Sequence, residues 1–178
     1  MTNPLVQSIA RNFEEALALM QAALGDCPDD MWAIDLWPEA PTSPTPYGGL
    51  HGSAPWFLGY HALLTLDYDL SGELKPWQPP RPFDEVTNSF PNRVFTKAEL
   101  IQYVDYCRSR VRATLEDRFE EMAAQPLPMT HRGHGELYGV MVGGIPLHLI
   151  AHASQIRQFL TASGVAVRAM PGDRGFAN

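Results

Sequence analysis

Cysteine is almost absent from this chain. Cys27 and Cys107 are the only two in 178 residues. They lie far apart and match no ligand spacing, so neither a disulfide framework nor a cysteine-based zinc site is expected. Two isolated thiols fit a reduced, cytoplasmic protein in which both are buried or half-buried. Charge is sparse as well: 13 Lys and Arg stand against 20 Asp and Glu, for a formal net charge of -7. Nucleic acid is bound through clustered basic side chains. The one arginine-rich run, Arg108, Arg110 and Arg112, is followed by Glu116, Asp117, Glu120 and Glu121. It reads as a solvated face of mixed charge, and no nucleic-acid partner is expected. No apolar stretch is long enough to span a bilayer, so no membrane is expected either. Met1-Thr2-Asn3-Pro4 leads straight into an amphipathic pattern with Arg11, Glu14 and Glu15, so no signal peptide is expected. Missing too are the Gly-x-Ser-x-Gly elbow, the phosphate loop and the dinucleotide fingerprint.

What the chain has is helical periodicity. Leu5, Ile9, Phe13, Ala16, Leu17, Met20 and Leu24 recur by threes and fours and predict a helix over about residues 4–24, with Gly25 as its stop. A second helix is expected from about Ser53 as N-cap, with Pro55 in its first turn, to about Leu70. A third follows Thr96, where Thr96-Lys97-Ala98-Glu99 matches a capping box, and continues through Leu100, Val104, Cys107, Val111, Leu115 and Met122. A fourth runs from about Ile145 to Ala162, with Pro146 in its first turn and Ser163-Gly164 at its end. Residues 25–52 and 71–95 hold most of the 16 prolines. Connections this long are uncommon in a compact domain and are often functional. The second of them also leaves helices two and three free to run parallel. The stretch 126–144 is left open between a short helix over Glu136 to Val142 and an extended piece. With no repeat and no second boundary, the expectation is one all-α domain over 1–178, a four-helix bundle with long Pro-rich connections.

Chemistry concentrates on three histidines. His148 and His152 are four residues apart, so their Cβ atoms lie about 5–6 Å apart on a helix. At about 100° per residue they share a stripe with Ile145, Ile156 and Phe159, with Gln155 beside them and Arg157 opposite. His61 shares its stripe with Ala54, Phe57, Leu58, Leu64, Thr65 and Tyr68, while Asp67 points elsewhere. All three imidazoles are therefore expected to face the bundle interior. An unpartnered polar group there costs about 1–3 kcal/mol. A shared divalent cation, bound at about 2.0–2.1 Å by neutral imidazole nitrogens, removes that cost and leaves a coordination position open. A lone core histidine such as His61 is more often a hydrogen-bonded structural residue, and the His148–His152 pair is what turns the reading towards metal. His51, His131 and His134 lie in Gly-rich loop sequence and read first as exposed polar residues, then as an accessory ligand or substrate contact. Leu149 stands where His-Glu-x-x-His has its glutamate, so a hydrolase lacks its familiar general base. Trp32, Trp37, Trp56 and Trp77, with Tyr47 and Tyr60, read as core or loop packing.

Three segments resemble the DinB/YfiT-like superfamily of small metal-binding four-helix bundles: Trp56-Phe57-Leu58-Gly59-Tyr60-His61, Phe95-Thr96-Lys97-Ala98-Glu99-Leu100, and His148-x-x-x-His152-Ala153-Ser154-Gln155-Ile156. Ser154 departs from the glycine that many members carry. The resemblance implies an up-down-down-up bundle in which His61, His148 and His152 bind a divalent metal, commonly nickel or zinc. It further implies a small-molecule substrate, a low-molecular-weight thiol cosubstrate, S-transfer or isomerisation as the reaction, and a homodimer. The alternatives are a metal-dependent hydrolase and a non-catalytic, stress-linked metal-binding bundle. Imidazoles suit zinc, nickel, copper and iron alike, so the residues themselves do not choose the metal.

Overall fold

Among the described residues the helices are α1 (Pro4–Asp26), α2 (Pro55–Ser71), α3 (Lys97–Asp117) and α4 (Ile145–Ala162). The computed structural model describes residues 3–38, 52–71, 78–84, 86–87, 90–91, 93–117 and 144–169. Between α2 and α3 lies a minimal antiparallel pair, β1 (Val86–Thr87) with β2 (Phe90–Pro91). Met122, Tyr47, Trp77 and the 126–143 stretch fall outside the described residues.

The helix ends show where local sequence rules hold and where tertiary contacts override them. At α1, Asn3 Oδ1 accepts the Leu5 N–H at 3.0 Å ahead of Pro4. Gly25 is not the stop: α1 runs through it to Asp26, and Cys27 turns extended. Its missing side chain instead makes room for the segment after α4, because a Cβ there would sit 2.5 Å from the Arg168 guanidinium. That segment is tied down by Asp26, which accepts from both the backbone and the side chain of Arg168. Ser53 is not the cap of α2 either. Its hydroxyl donates to Asp35 Oδ1 at 3.1 Å, and its oxygen accepts the Trp37 N–H at 3.4 Å, taking the acceptor role that a cap gives to a helix N–H. The helix's free Trp56 N–H is taken by the Trp32 carbonyl at 3.3 Å. At α3 the capping box forms as read: Glu99 N–H donates to Thr96 Oγ1 at 3.2 Å, and Thr96 N–H to Glu99 Oε2 at 2.7 Å. At the end of α4, Gly164 has φ +79, and the Val165 and Gly164 N–H groups return to the Leu160 and Thr161 carbonyls. That is a Schellman ending, which needs the left-handed conformation glycine allows.

Cross-helix bonds give the directions. Arg108 on α3 reaches Glu14 at 2.8 Å and Gln21 at 3.0 Å on α1, while Lys97 meets Asp29 just beyond α1, so α1 and α3 are antiparallel. Trp56 contacts Phe95, and Asp67 accepts from Tyr103 and Arg110, so α2 and α3 are parallel. Asp26 meets Arg157 near the C-terminal ends of α1 and α4, so those two are parallel. The result is an up-down-down-up bundle in which α1 and α2 each pack on both α3 and α4. Across the diagonal, α1 and α2 close up at Gly59, where a Cβ would lie 2.6 Å from Leu24 Cδ2.

Two expected faces are rotated. The inward side of α2 carries Ala62, Leu63, Leu66, Asp67 and Leu70, all buried, whereas His61, Leu64, Thr65 and Tyr68 are half-buried. On α4 the buried line is Ile145, Leu149, Ala153, Ile156 and Leu160, with His148 and His152 half-buried beside it. α2 is apolar on almost every side, so periodicity alone does not single out its core face. Asp67 is fully buried and accepts from Arg110 Nε at 3.2 Å and from Tyr103 Oη at 3.3 Å. The arginine run is likewise not one solvated face: Arg108 bridges to α1, Arg110 turns to α2, and Arg112, though 66% exposed, lies 3.7 Å from Glu14 of α1. Cys27 and Cys107 are free and buried. Trp32 and Trp56 are core residues, with Trp32 Nε1 donating to the Phe95 carbonyl at 2.8 Å. Trp37 is exposed.

Two carboxylates carry opposite pH signatures. The Arg93 hydrogen bond, helped by Thr96, holds the Glu99 carboxyl at about 2, below its usual 4.5. The folded state then binds fewer protons than the unfolded, so this stability is present above about pH 4.5 and is lost as pH falls towards 2. Glu99→Gln is expected to lower stability at pH 7 by about 1 kcal/mol, with the deficit closing over that acid window in urea titrations. Burial raises the Asp67 carboxyl despite the lowering effects of Arg110 and Tyr103. Its ionisation therefore opposes folding at neutral pH and costs nothing below about pH 3.8, where folded and unfolded chains are both protonated. Asp67→Asn, which resembles the protonated acid, is expected to be more stable than wild type at pH 7, with the gain fading in acid. A loss of stability at pH 7 would show instead that the Arg110 pair outweighs desolvation.

Candidate metal centre

The seam between α2 and the antiparallel α4 brings the three histidines together. His61 lies in the second turn of α2; His148 and His152 occupy successive turns of α4. The ring centroids are 5.0 Å apart for His61 and His148, 5.3 Å for His61 and His152, and 4.5 Å for His148 and His152. The planes stand close to perpendicular, at 88°, 83° and 76°, so the rings turn towards one another rather than stack. One nitrogen from each lies within 4.8 Å of the others, and His148 Nε2 is 2.9 Å from His152 Nε2.

Neighbours hold this arrangement. The Phe57 ring lies parallel to His61, with centroids 6.4 Å apart and an interplanar angle of 8°. Thr65 Oγ1 donates to the His61 carbonyl at 2.8 Å. Gln155 Oε1 lies 2.8 Å from His152 Nδ1. The sequence places Gln155 near the pair, but its hydrogen bond to His152 goes unread there; the spacing of three residues on one helix face is the signal that could have found it.

The site differs from expectation in depth. The three imidazoles are half-buried, not sealed in the core, so the cost of burying them is smaller than the sequence suggests. Convergence of the donors is the stronger argument. Three imidazoles form a nitrogen donor set suited to a borderline cation. At bond lengths of about 2.0–2.1 Å, two ligands of one ion lie about 2.9–3.4 Å apart. The His148–His152 separation already meets this, and no pair in the cluster is more than 4.8 Å apart. The donor set fits a divalent cation.

No family model, curated protein or solved structure matches this chain. The likeness to DinB/YfiT-like proteins therefore rests on the three quoted motifs. His51, His131 and His134 fall outside the described residues. Leu149 points into the core, so the position next to His148 brings no carboxylate to the cluster. This is the only cluster of three or more potential metal-ligating side chains among the described residues. No described helix is long and apolar enough to cross a membrane.

Protein purified without chelator or affinity tag is expected to carry divalent metal, and His148→Ala to lower that content. Unchanged stoichiometry by elemental analysis would remove His148 from the ligand set.

Proposed function

We propose that this chain is a DinB/YfiT-like, metal-dependent enzyme acting on a small molecule, with S-transfer or isomerisation assisted by a low-molecular-weight thiol. His61, His148 and His152 hold the metal, nickel or zinc. The observation that carries the proposal is the meeting of three imidazole nitrogens from two helices within 4.8 Å.

Three protein ligands leave room for an exogenous one. Half-burial favours the same conclusion, because a cluster closed off in the core would offer a substrate no approach. A divalent cation there supplies Lewis acidity, which stabilises the deprotonated form of a bound thiol at neutral pH. The chain's own contribution is positional. α2 and α4 fix the nitrogens, Phe57 limits the tilt of the His61 ring, and Gln155 limits that of His152.

Neither cysteine competes as the nucleophile. Cys27 is buried, with its thiol pushed up to about 11 by desolvation, and Cys107 is raised well above the usual thiol range for the same reason. A reactive cysteine needs the reverse, a lowered value and an approach from solvent. The thiol in the proposed reaction therefore comes from outside the chain. Hydrolysis is the weaker reading, since no carboxylate base among the described residues joins the histidine cluster.

Cobalt-substituted protein is expected to change its visible spectrum when glutathione is added as a representative thiol, and His152→Ala to abolish the change with the helical signal intact. An indifferent wild-type spectrum would overturn the thiol assignment. Metal-dependent thermal stabilisation without turnover on thiol and ester panels would favour a non-catalytic bundle.

A further inference from the structure

Gln155 sits one turn after His152 on α4, half-buried, with its amide oxygen 2.8 Å from His152 Nδ1. The opposite ring nitrogen of His152, Nε2, is 2.9 Å from His148 Nε2. These two contacts are coupled through one ring. An amide oxygen can only accept, so the nitrogen facing it must bear the proton. A neutral imidazole carries a single N–H, which leaves His152 Nε2 with its lone pair directed into the cluster. Between two imidazole nitrogens at hydrogen-bond distance, one must donate. With His152 Nε2 as acceptor, the donor is His148 Nε2.

We infer that Gln155 is a positioning residue that presets His152 as the Nδ1–H tautomer, ready to ligate through Nε2, and so makes His148 the imidazole whose tautomer must change when metal enters. In the metal-free protein, His148 carries its proton on Nε2. Coordination through that atom shifts the ring to its Nδ1–H form: one N–H bond breaks, one forms, and the neutral ring keeps a single proton. A side chain that holds a metal ligand's distal N–H fixes both tautomer and ring orientation, and losing it weakens metal binding by about 10–100-fold. The metal part of this inference rests on the proposed function; the tautomer of His152 does not.

The test uses the full chain, ¹⁵N-labelled at histidine. In the metal-free protein, long-range ¹H–¹⁵N spectra are expected to show His152 as Nδ1–H and His148 as Nε2–H, and adding zinc ion is expected to convert His148 to Nδ1–H. Gln155→Leu is expected to mix the His152 tautomers and weaken zinc binding by about 10–100-fold in competition titrations. Gln155→Glu, which keeps an acceptor, is expected to preserve the Nδ1–H signature; it serves as the readout if the leucine variant does not fold. An Nε2–H signal for His152 in the wild type overturns the inference, as does a leucine variant with unchanged tautomers and affinity. Failure of the wild type to bind zinc, with His152 still Nδ1–H, would defeat the metal reading and leave the tautomer assignment standing.

Discussion

The register between α2 and α4 is the constraint on which the candidate site depends. His61 has no local reason to be near His148; only the packing of two helices distant in sequence brings them within a shared ion's reach. That register is set from the other side of α2. Gly59 lets Leu24 of the diagonal helix come close, Asp67 is held by Arg110 and Tyr103 of α3, and the Trp56 N–H is bonded to the Trp32 carbonyl. A one-residue slip of α2 would turn His61 by about 100° and break all three of these contacts. The histidine cluster therefore inherits its precision from a buried framework to which it contributes little.

That framework includes polar groups whose energetics differ in sign. Glu99 is held ionised by Arg93 and the α3 capping box in a partly solvated place, and contributes to stability. Burial disfavours the charged form of Asp67, and its two partners only partly offset that effect. Buried ion pairs of this second kind are often no better for stability than apolar packing, but stranding one partner is costly. At the α2–α3 interface, a slipped register would leave Asp67 without Arg110. The pair thus penalises wrong packing more than it rewards the right one.

The order and approximate ends of the described helices are legible in the sequence because they depend on local features: the capping box at Thr96 and Glu99, Pro55 and Pro146 in first turns, and the glycine at 164. The metal-ligand candidates are legible for the same reason, since an i, i+4 histidine pair survives any change of surroundings. What fails is whatever tertiary contacts decide. Gly25 looks like a helix stop, yet it is a notch for Arg168. Ser53 looks like a cap, but its oxygen accepts from Trp37 and its hydroxyl donates to Asp35. Asp67 reads as pointing away from the core because α2 is too uniformly apolar to show its inner face. The parallel placement of α2 and α3 could be anticipated from the long link between them, whereas the depth of the histidines could not.

That depth shapes the chemistry. Sealed in the core, three imidazoles would need a cation chiefly to offset their own burial, and the site would be structural. On a half-open seam they can be solvated without one, so burial alone does not explain why their nitrogens meet. Phe57 lies parallel to one imidazole and Gln155 bonds another. Residues that hold polar rings together at a solvent-reachable place are spending conformational freedom that stability does not require. Such preorganisation is what ligand binding uses, because an ion entering an already ordered donor set need not order it.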